Sequence, residues 1–321
     1  MPSDTDKTLL VMDVDTGIDD ALAILLALRS PNAEVLAIGT VAGNIEADQA
    51  ATNTLKTLDA AGATDVPVAV GLNKPLLRPL ETSPHVHGVD GMGDAGLPMP
   101  SGRPTDEHAV DQLLRLVHER PGRITLFASG PLSNVAAALI REPELPRLVK
   151  RVVIMGGAAD GIGNVTPVAE ANIWHDPEAA RLVLDAPWSS LTMVGLDVTM
   201  TTLLGAAELE RIHKSESPVA RFVAAITPFY VNRYAELLGG RGCALHDPLA
   251  LGIALDPTLV TRMASLDVRV ETESPLTVGM TVADRRPLRG PGYPRPYHPI
   301  DVPLAVDAPR FVEHLVRTLT A

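Results

Sequence analysis

The sequence predicts an α/β fold in which a mostly parallel central sheet carries helices on both faces. Short apolar runs recur along the chain, as the buried strands of a parallel sheet require, and segments with helical spacing of apolar residues separate them. Several runs end in short polar or glycine turns, as expected where parallel strands bring residues to one edge of a sheet. The 321 residues are enough for one large domain of this type, which we expect to span residues 1–321.

The elements follow in order. Six apolar runs predict strands at 9–12, 35–41, 66–70, 124–128, 152–155 and 191–196. Helical patterns lie at 21–28, where an acidic residue is the expected N-cap, and at 47–58, 109–118, 132–140 and 177–184. Residues 71–104 are rich in Gly, Pro and His and too long for a plain connection, which favours a functional loop. A Pro, Gly and Arg tract at 285–296 predicts a mobile or interface loop, with a short basic binding patch as the alternative.

Composition excludes several classes of function. The formal net charge of −12 argues against nucleic-acid binding, which needs a basic face. A single cysteine, Cys243, excludes an intramolecular disulfide and an all-cysteine metal cluster, and it fits a reducing cytoplasm. The N-terminus lacks the pattern of a signal peptide, and no apolar run approaches the roughly 20 residues that span a bilayer. We therefore expect a cytoplasmic protein that acts on a small molecule, away from membranes.

Four carboxylates are gathered where the first strand passes into the first helix: Asp13, Asp15, Asp19 and Asp20. Acids this close raise each other's pKa unless a cation or hydrogen-bond donors compensate. A hard divalent ion such as Ca²⁺ or Mg²⁺ would do so. The alternative is that Asp19 and Asp20 only cap the helix while Asp13 and Asp15 are turn residues.

Polar residues also follow later strands and are expected to meet in the same crevice. They are Gly43 and Asn44, Ser129 and Gly130, Gly156 and Gly157, and Asp197. Residues 164–172 offer amides and a carboxylate suited to hydroxyl-rich ligands, although taken alone this segment is a surface loop. His246 beside Asp247 places a titratable group next to an oxygen ligand, with plain helix capping by Asp247 as the alternative.

Together these motifs resemble the nucleoside hydrolase family, calcium-dependent N-ribosyl hydrolases with inosine-uridine-preferring and pyrimidine-specific members. The resemblance covers nearly the whole chain and implies a nucleoside hydrolase-like, Rossmann-like core. The motifs that carry it are DVDTGIDD at 13–20, VAGN at 41–44, HVHGVDGMG at 85–93, SGPLSN at 129–134, VVIMGGA at 152–158, NVTPVAEANIWHDPEAA at 164–180, MVGLDVT at 193–199, HDP at 246–248 and VGMTVADRR at 278–286.

The resemblance implies a reaction and a role for each site residue. Ca²⁺ would be held by the carboxylates of Asp15, Asp20 and Asp247 and by the backbone carbonyl of Ser129. A metal-bound water, deprotonated by Asp15, would cleave the N-glycosidic bond of a ribonucleoside to give ribose and the free base. The ribose hydroxyls would be held by Asp19, Asn44, Glu170 and Asn172, with Asn164 and Met155 lining the pocket.

The remaining implied residues concern the departing base. His246 is the candidate leaving-group residue, His87 is expected near the base, and Tyr230 and Tyr234 fall where family members carry aromatic or proton-relay residues. Asp13 is expected to support the loop. The resemblance also implies a homo-oligomer, either a tetramer or a dimer.

One departure from the family bears on the substrate. Ala171 stands where many relatives have Phe, so we expect a wider or differently packed pocket. Aromatic residues are only 3% of the chain, and Trp174 and Trp188 are the only tryptophans, which disfavours a base held between tryptophans. We expect a preference that is broad or leans towards pyrimidines.

Two alternatives remain open at this stage. Asp13-Val14-Asp15-Thr16 also fits the start of haloacid-dehalogenase-like phosphatases, with Asp13 as the nucleophile and Mg²⁺ as the metal, but the second acid pair has no role in that chemistry. A non-catalytic nucleoside- or ribose-binding protein could keep the calcium pocket without turnover. The joint presence of the candidate ligand and ribose-binding residues argues against such a loss.

Overall fold

The computed structural model describes residues 7–240, 242–286 and 298–321. Its strands are β1 (Thr8–Val14), β2 (Ala33–Thr40), β3 (Val68–Val70), β4 (Ile124–Ala128), β5 (Arg151–Met155), β6 (Leu191–Val194), β7 (Leu203–Leu204), β8 (Cys243–Ala244), β9 (Val260–Leu266), β10 (Val268–Val270), β11 (Thr281–Ala283) and β12 (Ile300–Val306). Its helices are α1 (Ile18–Arg29), α2 (Ala47–Ala61), α3 (Pro84–His87), α4 (Ala109–Glu119), α5 (Ser133–Arg141), α6 (Leu145–Leu148), α7 (Ala171–His175), α8 (Pro177–Asp185), α9 (Leu196–Thr199), α10 (Ala206–Lys214), α11 (Pro218–Leu238), α12 (His246–Leu255) and α13 (Ala308–Thr320).

Eight strands form the central sheet in the order β3-β2-β1-β4-β5-β6-β12-β9. All neighbours pair in parallel except β9, which runs antiparallel to β12 at the edge. The predicted α/β class with a mostly parallel sheet is confirmed, and each of the six predicted strands is present. The third begins two residues later than predicted, at Val68, and the sixth ends at Val194 because Leu196 already belongs to α9.

The strand order determines where a ligand can bind. The chain builds outwards from β1 to β3 and then crosses to β4 on the other side of β1, so the order reverses between β1 and β4. Helices after these two strands diverge, which leaves a crevice at their carboxyl ends. Asp13 is in register with Ala128, so the segments containing Asp15 and Ser129 leave the sheet side by side.

Apolar side chains pack on both faces of the sheet. Neighbouring residues of β4 illustrate this, because Phe127 belongs to the cluster that includes α1 and α12, whereas Leu126 belongs to the cluster that includes α4 and α5. Every residue of α1 from Ile18 to Ala27 is buried, which explains why this helix is apolar all round apart from its two acids. The acids are therefore carried on a rigid element.

Two helices begin differently from the sequence prediction. The N-cap of α1 is Gly17, not an acid, and Asp19 and Asp20 lie inside the first turn. The Asp20 carboxylate accepts a hydrogen bond of 2.9 Å from the Gly17 N–H, so it turns back on the cap instead of preceding the helix. Likewise α12 begins at His246 with Leu245 as N-cap, which makes the capping role proposed for Asp247 wrong.

The two irregular segments have different outcomes. Residues 71–104 contain only the short helix α3 and are otherwise irregular, and α3 reaches the site described below. The 285–296 tract lies outside the described residues apart from Arg285, which pairs with Asp160, and Arg286, whose Nε donates to Asp284 at 2.9 Å. Among the described helices, none is both long and apolar enough to cross a bilayer.

Candidate active site

The carboxylates of Asp19, Asp20 and Asp247 converge at the crevice beside β1. One oxygen of each lies within 4.8 Å of the others, and all three residues are buried. Burial raises the pKa of Asp19 to about 7, and the charge of Asp20 adds to the shift. For Asp247, burial and then the charges of its acidic neighbours raise the pKa well above its usual range. Such a cluster is stable in its ionised form only beside compensating positive charge.

Asp15 lies against this cluster and contributes an unpartnered oxygen. Its Oδ2 accepts a 2.6 Å hydrogen bond from the backbone N–H of Asn44, whereas Oδ1 is buried without a hydrogen-bond partner among the described residues. Burial, and next the charge of Asp20, raises its pKa. The sequence grouped Asp15 with Asp20 and Asp247, whereas the closest three-carboxylate group contains Asp19 in its place. The oxygen donors fit a hard divalent cation, and Oδ1 of Asp15 is an acceptor that such an ion would satisfy.

Ser129 connects the cluster to the opposite wall of the crevice. Its carbonyl oxygen accepts a 2.7 Å hydrogen bond from Nδ2 of Asn172, and its Oγ donates to Oδ1 of Asp20 at 2.8 Å. The same Asn172 amide donates to the carbonyl of Met155 at 3.1 Å. The sequence assigned a role only to the Ser129 carbonyl. In the structure the hydroxyl holds one of the candidate metal ligands.

Asp13 lies outside this site. Its Oδ1 accepts a 2.7 Å hydrogen bond from Nδ2 of Asn134, which also donates to the carbonyl of Thr40. Burial raises its pKa to about 7, against the opposing effect of the Asn134 hydrogen bond. Oδ2 is buried without a hydrogen-bond partner among the described residues, and the contact with Asn134 agrees with the supporting role expected for Asp13.

A cavity of about 380 Å³ opens over the carboxylate cluster. It brings together most of the residues that the sequence singled out. Those that line it are Asp19, Asn44, His87, Ser129, Met155, Asn164, Glu170, Asn172, Tyr230, Tyr234, His246 and Asp247. Asp15 and Asp20 are fully buried behind these residues and do not line it. Asp197 does not line it either, and its carboxylate accepts from the backbone N–H groups of Ala159 and Asp160.

Two histidines and two tyrosines form one wall of the cavity. The His87 ring stacks on Tyr230 at 5.5 Å, and the Tyr230 and Tyr234 rings lie 4.8 Å apart. The Tyr234 hydroxyl is 2.6 Å from Nε2 of His246, whose Nδ1 is 2.8 Å from Oγ1 of Thr199. Burial lowers the pKa of His246 to about 4, and burial followed by neighbouring histidines lowers that of His87 to about 3. Both rings are therefore neutral near pH 7.

Comparison with known proteins decides the family. The family model described as "Inosine-uridine preferring nucleoside hydrolase" matches residues 10–313. The chain belongs to this nucleoside hydrolase family. The family resemblance seen in the sequence is thus confirmed, and the chain is a hydrolase that acts on N-ribosyl nucleosides. The phosphatase alternative is wrong.

Individual relatives agree with the assignment. An inosine-uridine preferring nucleoside hydrolase from Crithidia fasciculata is 42% identical over 292 residues, 90% of each chain. A pyrimidine-specific ribonucleoside hydrolase, RihA from Citrobacter koseri, is 42% identical over 276 residues, 86% of this chain and 88% of the relative. Among solved structures, a plant nucleoside hydrolase has a TM-score of 0.91 at 35% identity, over 98% of this chain and 99% of its own. A purine-preferring hydrolase from Gardnerella vaginalis has a TM-score of 0.88 at 35% identity, over 98% of both chains.

In this nucleoside hydrolase Glu170 makes backbone hydrogen bonds that the sequence did not predict. Its carboxylate is the N-cap of α7 and accepts from the backbone N–H groups of Gly157, Asn172 and Ile173 at 2.8, 2.9 and 3.1 Å. Burial raises its pKa, whereas these hydrogen bonds lower it. Asn164, in the preceding loop, accepts from the N–H of Ala171 at 3.0 Å through its side-chain oxygen. Both side chains thus hold the backbone that carries Asn172.

Sequence reasoning missed several residues of the nucleoside hydrolase cavity. Glu81, His85, Trp174, His175, Arg233 and Leu237 also line it, and Thr199 supports His246 from behind. Trp174, His175 and Thr199 fall within motifs that carried the resemblance, so their proximity to the site was a usable signal. Half-buried Arg233 and exposed Leu237 lie near the end of α11, where no sequence pattern marks them.

Proposed function

We propose that this hydrolase cleaves the N-glycosidic bond of ribonucleosides with Ca²⁺ as its cofactor. The observation that carries the proposal is the buried carboxylate cluster at the floor of a cavity lined by amide, imidazole and phenol groups. Asp15, Asp20 and Asp247, with the Ser129 carbonyl, would hold the ion, and their oxygen-only donor set suits Ca²⁺. When bound, the ion supplies positive charge that makes a water molecule more acidic and attracts ribose hydroxyls.

Asp15 is proposed as the general base. The proton of the attacking water would pass to Oδ1, the oxygen that has no protein partner, while the Asn44 N–H holds Oδ2 in place. This hydrogen bond fixes the carboxylate and leaves both lone pairs of Oδ1 without a protein partner. Asp15→Asn keeps the size of the side chain but removes the basic oxygen.

The ribose would lie between the cluster and α7. Asp19, Asn44 and Asn172 line the cavity with groups that can exchange hydrogen bonds with hydroxyls. Glu170, Asn164 and Met155 are proposed to complete this wall, the first two partly through the backbone they hold. Negative charge close to the sugar favours the oxocarbenium character of the transition state over the neutral substrate.

The departing base would contact the cavity wall formed by the two histidines and two tyrosines. His246 lines the cavity, but both of its ring nitrogens already have partners, so its effect on the base would pass through the Tyr234 hydroxyl. We propose that a proton or hydrogen bond is delivered to the base by Tyr234, with His246 and Thr199 behind it. His87 and Tyr230 would flank the base. The Tyr230 hydroxyl donates to Asp19 at 3.2 Å, so it would position that carboxylate and not donate to the base.

Ribose release tests the proposal. Inosine, uridine, cytidine, adenosine and guanosine are incubated with the enzyme, with and without a calcium chelator, and with Asp15→Asn in parallel. We expect release that stops on chelation, returns with added Ca²⁺ and falls by several orders of magnitude in the variant. Asp13→Asn is the matched control, since Asp13 is a buried acid of the same segment whose carboxylate contacts Asn134 and is not part of the acidic cluster. Release that is unaffected by chelation would overturn the metal assignment, and no release from any nucleoside would favour a binding protein without turnover.

We further propose that residues 1–321 form one domain, that the chain assembles into a homotetramer or homodimer, and that it acts in the cytoplasm. Strands from near both ends of the chain, β1 and β12, share one sheet, which supports the single domain. The family resemblance supports the assembly, and the single cysteine supports the location. Light scattering on the purified protein measures the oligomeric state directly.

A further inference from the structure

His175 is buried in the cavity wall with a ring nitrogen that lacks a protein partner. It is the last residue of α7, it lines the cavity and its exposed fraction is 5%. Nδ1 is buried and has no hydrogen-bond partner among the described residues, and the ring meets Trp174 edge-on at 5.5 Å. Buried polar groups almost always have a partner, since an unsatisfied one is costly. This imidazole therefore needs an explanation.

The other two buried histidines of the cavity are engaged by the protein. Nδ1 of His87 accepts a 3.1 Å hydrogen bond from the N–H of Ile18, and both nitrogens of His246 have partners. Of the three, only the His175 ring makes no contact of full hydrogen-bond geometry with the described residues, although the Ala171 carbonyl acts on it as an acceptor. Nδ1 is enclosed, so a partner in the cavity would meet Nε2.

Ala171 begins the short helix that ends at His175. Residues four apart share one face of a helix, and a helical side chain leans towards the N-terminus, so the His175 ring extends over Ala171. Both residues line the cavity, and the side chain at position 171 is only a methyl group. Burial lowers the pKa of His175 to about 4, with a smaller opposite effect from the Ala171 carbonyl. A neutral imidazole has one donor and one acceptor nitrogen, which suits hydrogen bonding to an uncharged ligand.

We propose that His175 forms a hydrogen bond with an oxygen of the bound nucleoside, in a space that Ala171 leaves open. This inference rests on the proposed function. The oxygen is either the ribose 5′-hydroxyl or a carbonyl of the base, because both are uncharged polar groups that a nucleoside presents outside the diol. His175 is thus an additional substrate-binding residue of this hydrolase.

Steady-state kinetics of two variants test the role. His175→Phe keeps an aromatic ring but removes both nitrogens, and His175→Gln keeps an amide donor and acceptor. We expect kcat/KM for uridine to fall about 10-fold in His175→Phe, mainly through KM, and to recover largely in His175→Gln. With 5′-deoxyuridine the difference disappears if the partner is the 5′-hydroxyl. It persists, and differs between uridine and inosine, if the partner is the base.

A merely structural histidine would give another pattern. Equal losses in both variants, in proportion to a lowered Tm and alike for all three substrates, would overturn the proposal, as would kcat/KM unchanged within twofold in His175→Phe. If His175→Phe does not fold, Ala171→Phe covers the ring from the cavity side and is expected to raise KM in the same way. An active wild type with unaffected variants would overturn only this role, whereas a wild type that releases no ribose would overturn the proposed function.

Discussion

Replacing Tyr234 by Phe tests how the departing base leaves. The substitution removes one hydroxyl, which lies 2.6 Å from Nε2 of His246 and lines the cavity. It leaves the ring and its contact with Tyr230, whose centroid lies 4.8 Å away. The proposed path from Thr199 through His246 to the base would end at His246.

The expected effects on rate and stability differ in size. Loss of a positioned proton donor costs about 10²- to 10⁴-fold in kcat, and we expect a fall in this range for uridine and inosine. The free energy of unfolding should fall by about 1–3 kcal/mol, because Nε2 of the buried His246 loses its partner. A protein destabilised by this amount remains folded at room temperature if its stability is typical of a domain.

The assay compares natural nucleosides with p-nitrophenyl β-ribofuranoside, whose leaving group departs as a stable phenolate. We expect the synthetic substrate to lose less than 10-fold in kcat/KM while uridine and inosine lose at least 100-fold. Tyr230→Phe is the matched control, because its hydroxyl donates to Asp19 at 3.2 Å, so its effect should be alike for all substrates. An equal loss on natural and synthetic substrates in Tyr234→Phe would refute the reasoning and place the hydroxyl in ribose binding instead.

Three further perturbations follow from the geometry. Asp247→Asn should abolish Ca²⁺ binding in a calorimetric titration and raise the Tm of the metal-free protein, because it removes a charge from a repelling cluster; a lower metal-free Tm would contradict the clustered-charge argument. The folded-state pKa of His175, about 4, lies below the unfolded value near 6.5, so its stability contribution is present above pH 6.5 and is lost as the pH falls towards 4. Between pH 7 and pH 4 the free energy of unfolding of His175→Phe, measured with denaturant, should therefore fall by about 3 kcal/mol less than that of the wild type. Parallel plots of this free energy against pH would show that the His175 ring is not the cause. Gly17→Ala would place a Cβ 2.6 Å from Nδ1 of His87, so we expect it to displace that ring, break its hydrogen bond from Ile18 and lower both Tm and activity; an unchanged Tm would show that His87 moves freely.

Most of the fold was accessible from the sequence because the patterns are local. Buried parallel strands read as apolar runs, and the run at 124–128 coincides with β4. The starts of α1 and α12 were harder to predict, since the N-caps Gly17 and Leu245 carry no side-chain oxygen. The acids near these starts, such as Asp20 and Asp247, lie inside the first turn. The antiparallel edge strand β9 carries no such signal, because its exposed positions break the apolar run.

The sequence by itself determined the class of fold, the family motifs and the list of polar residues that end up around the cavity. It could do so because strand and helix periodicity, and the residues after each strand, are properties of short segments. Tertiary structure decided which of those residues meet. It joined Asp19 to Asp20 and Asp247 and gave His246 its two partners. These are contacts between segments up to more than 200 residues apart, and their distances depend on how the helices pack on the sheet, which no local pattern encodes.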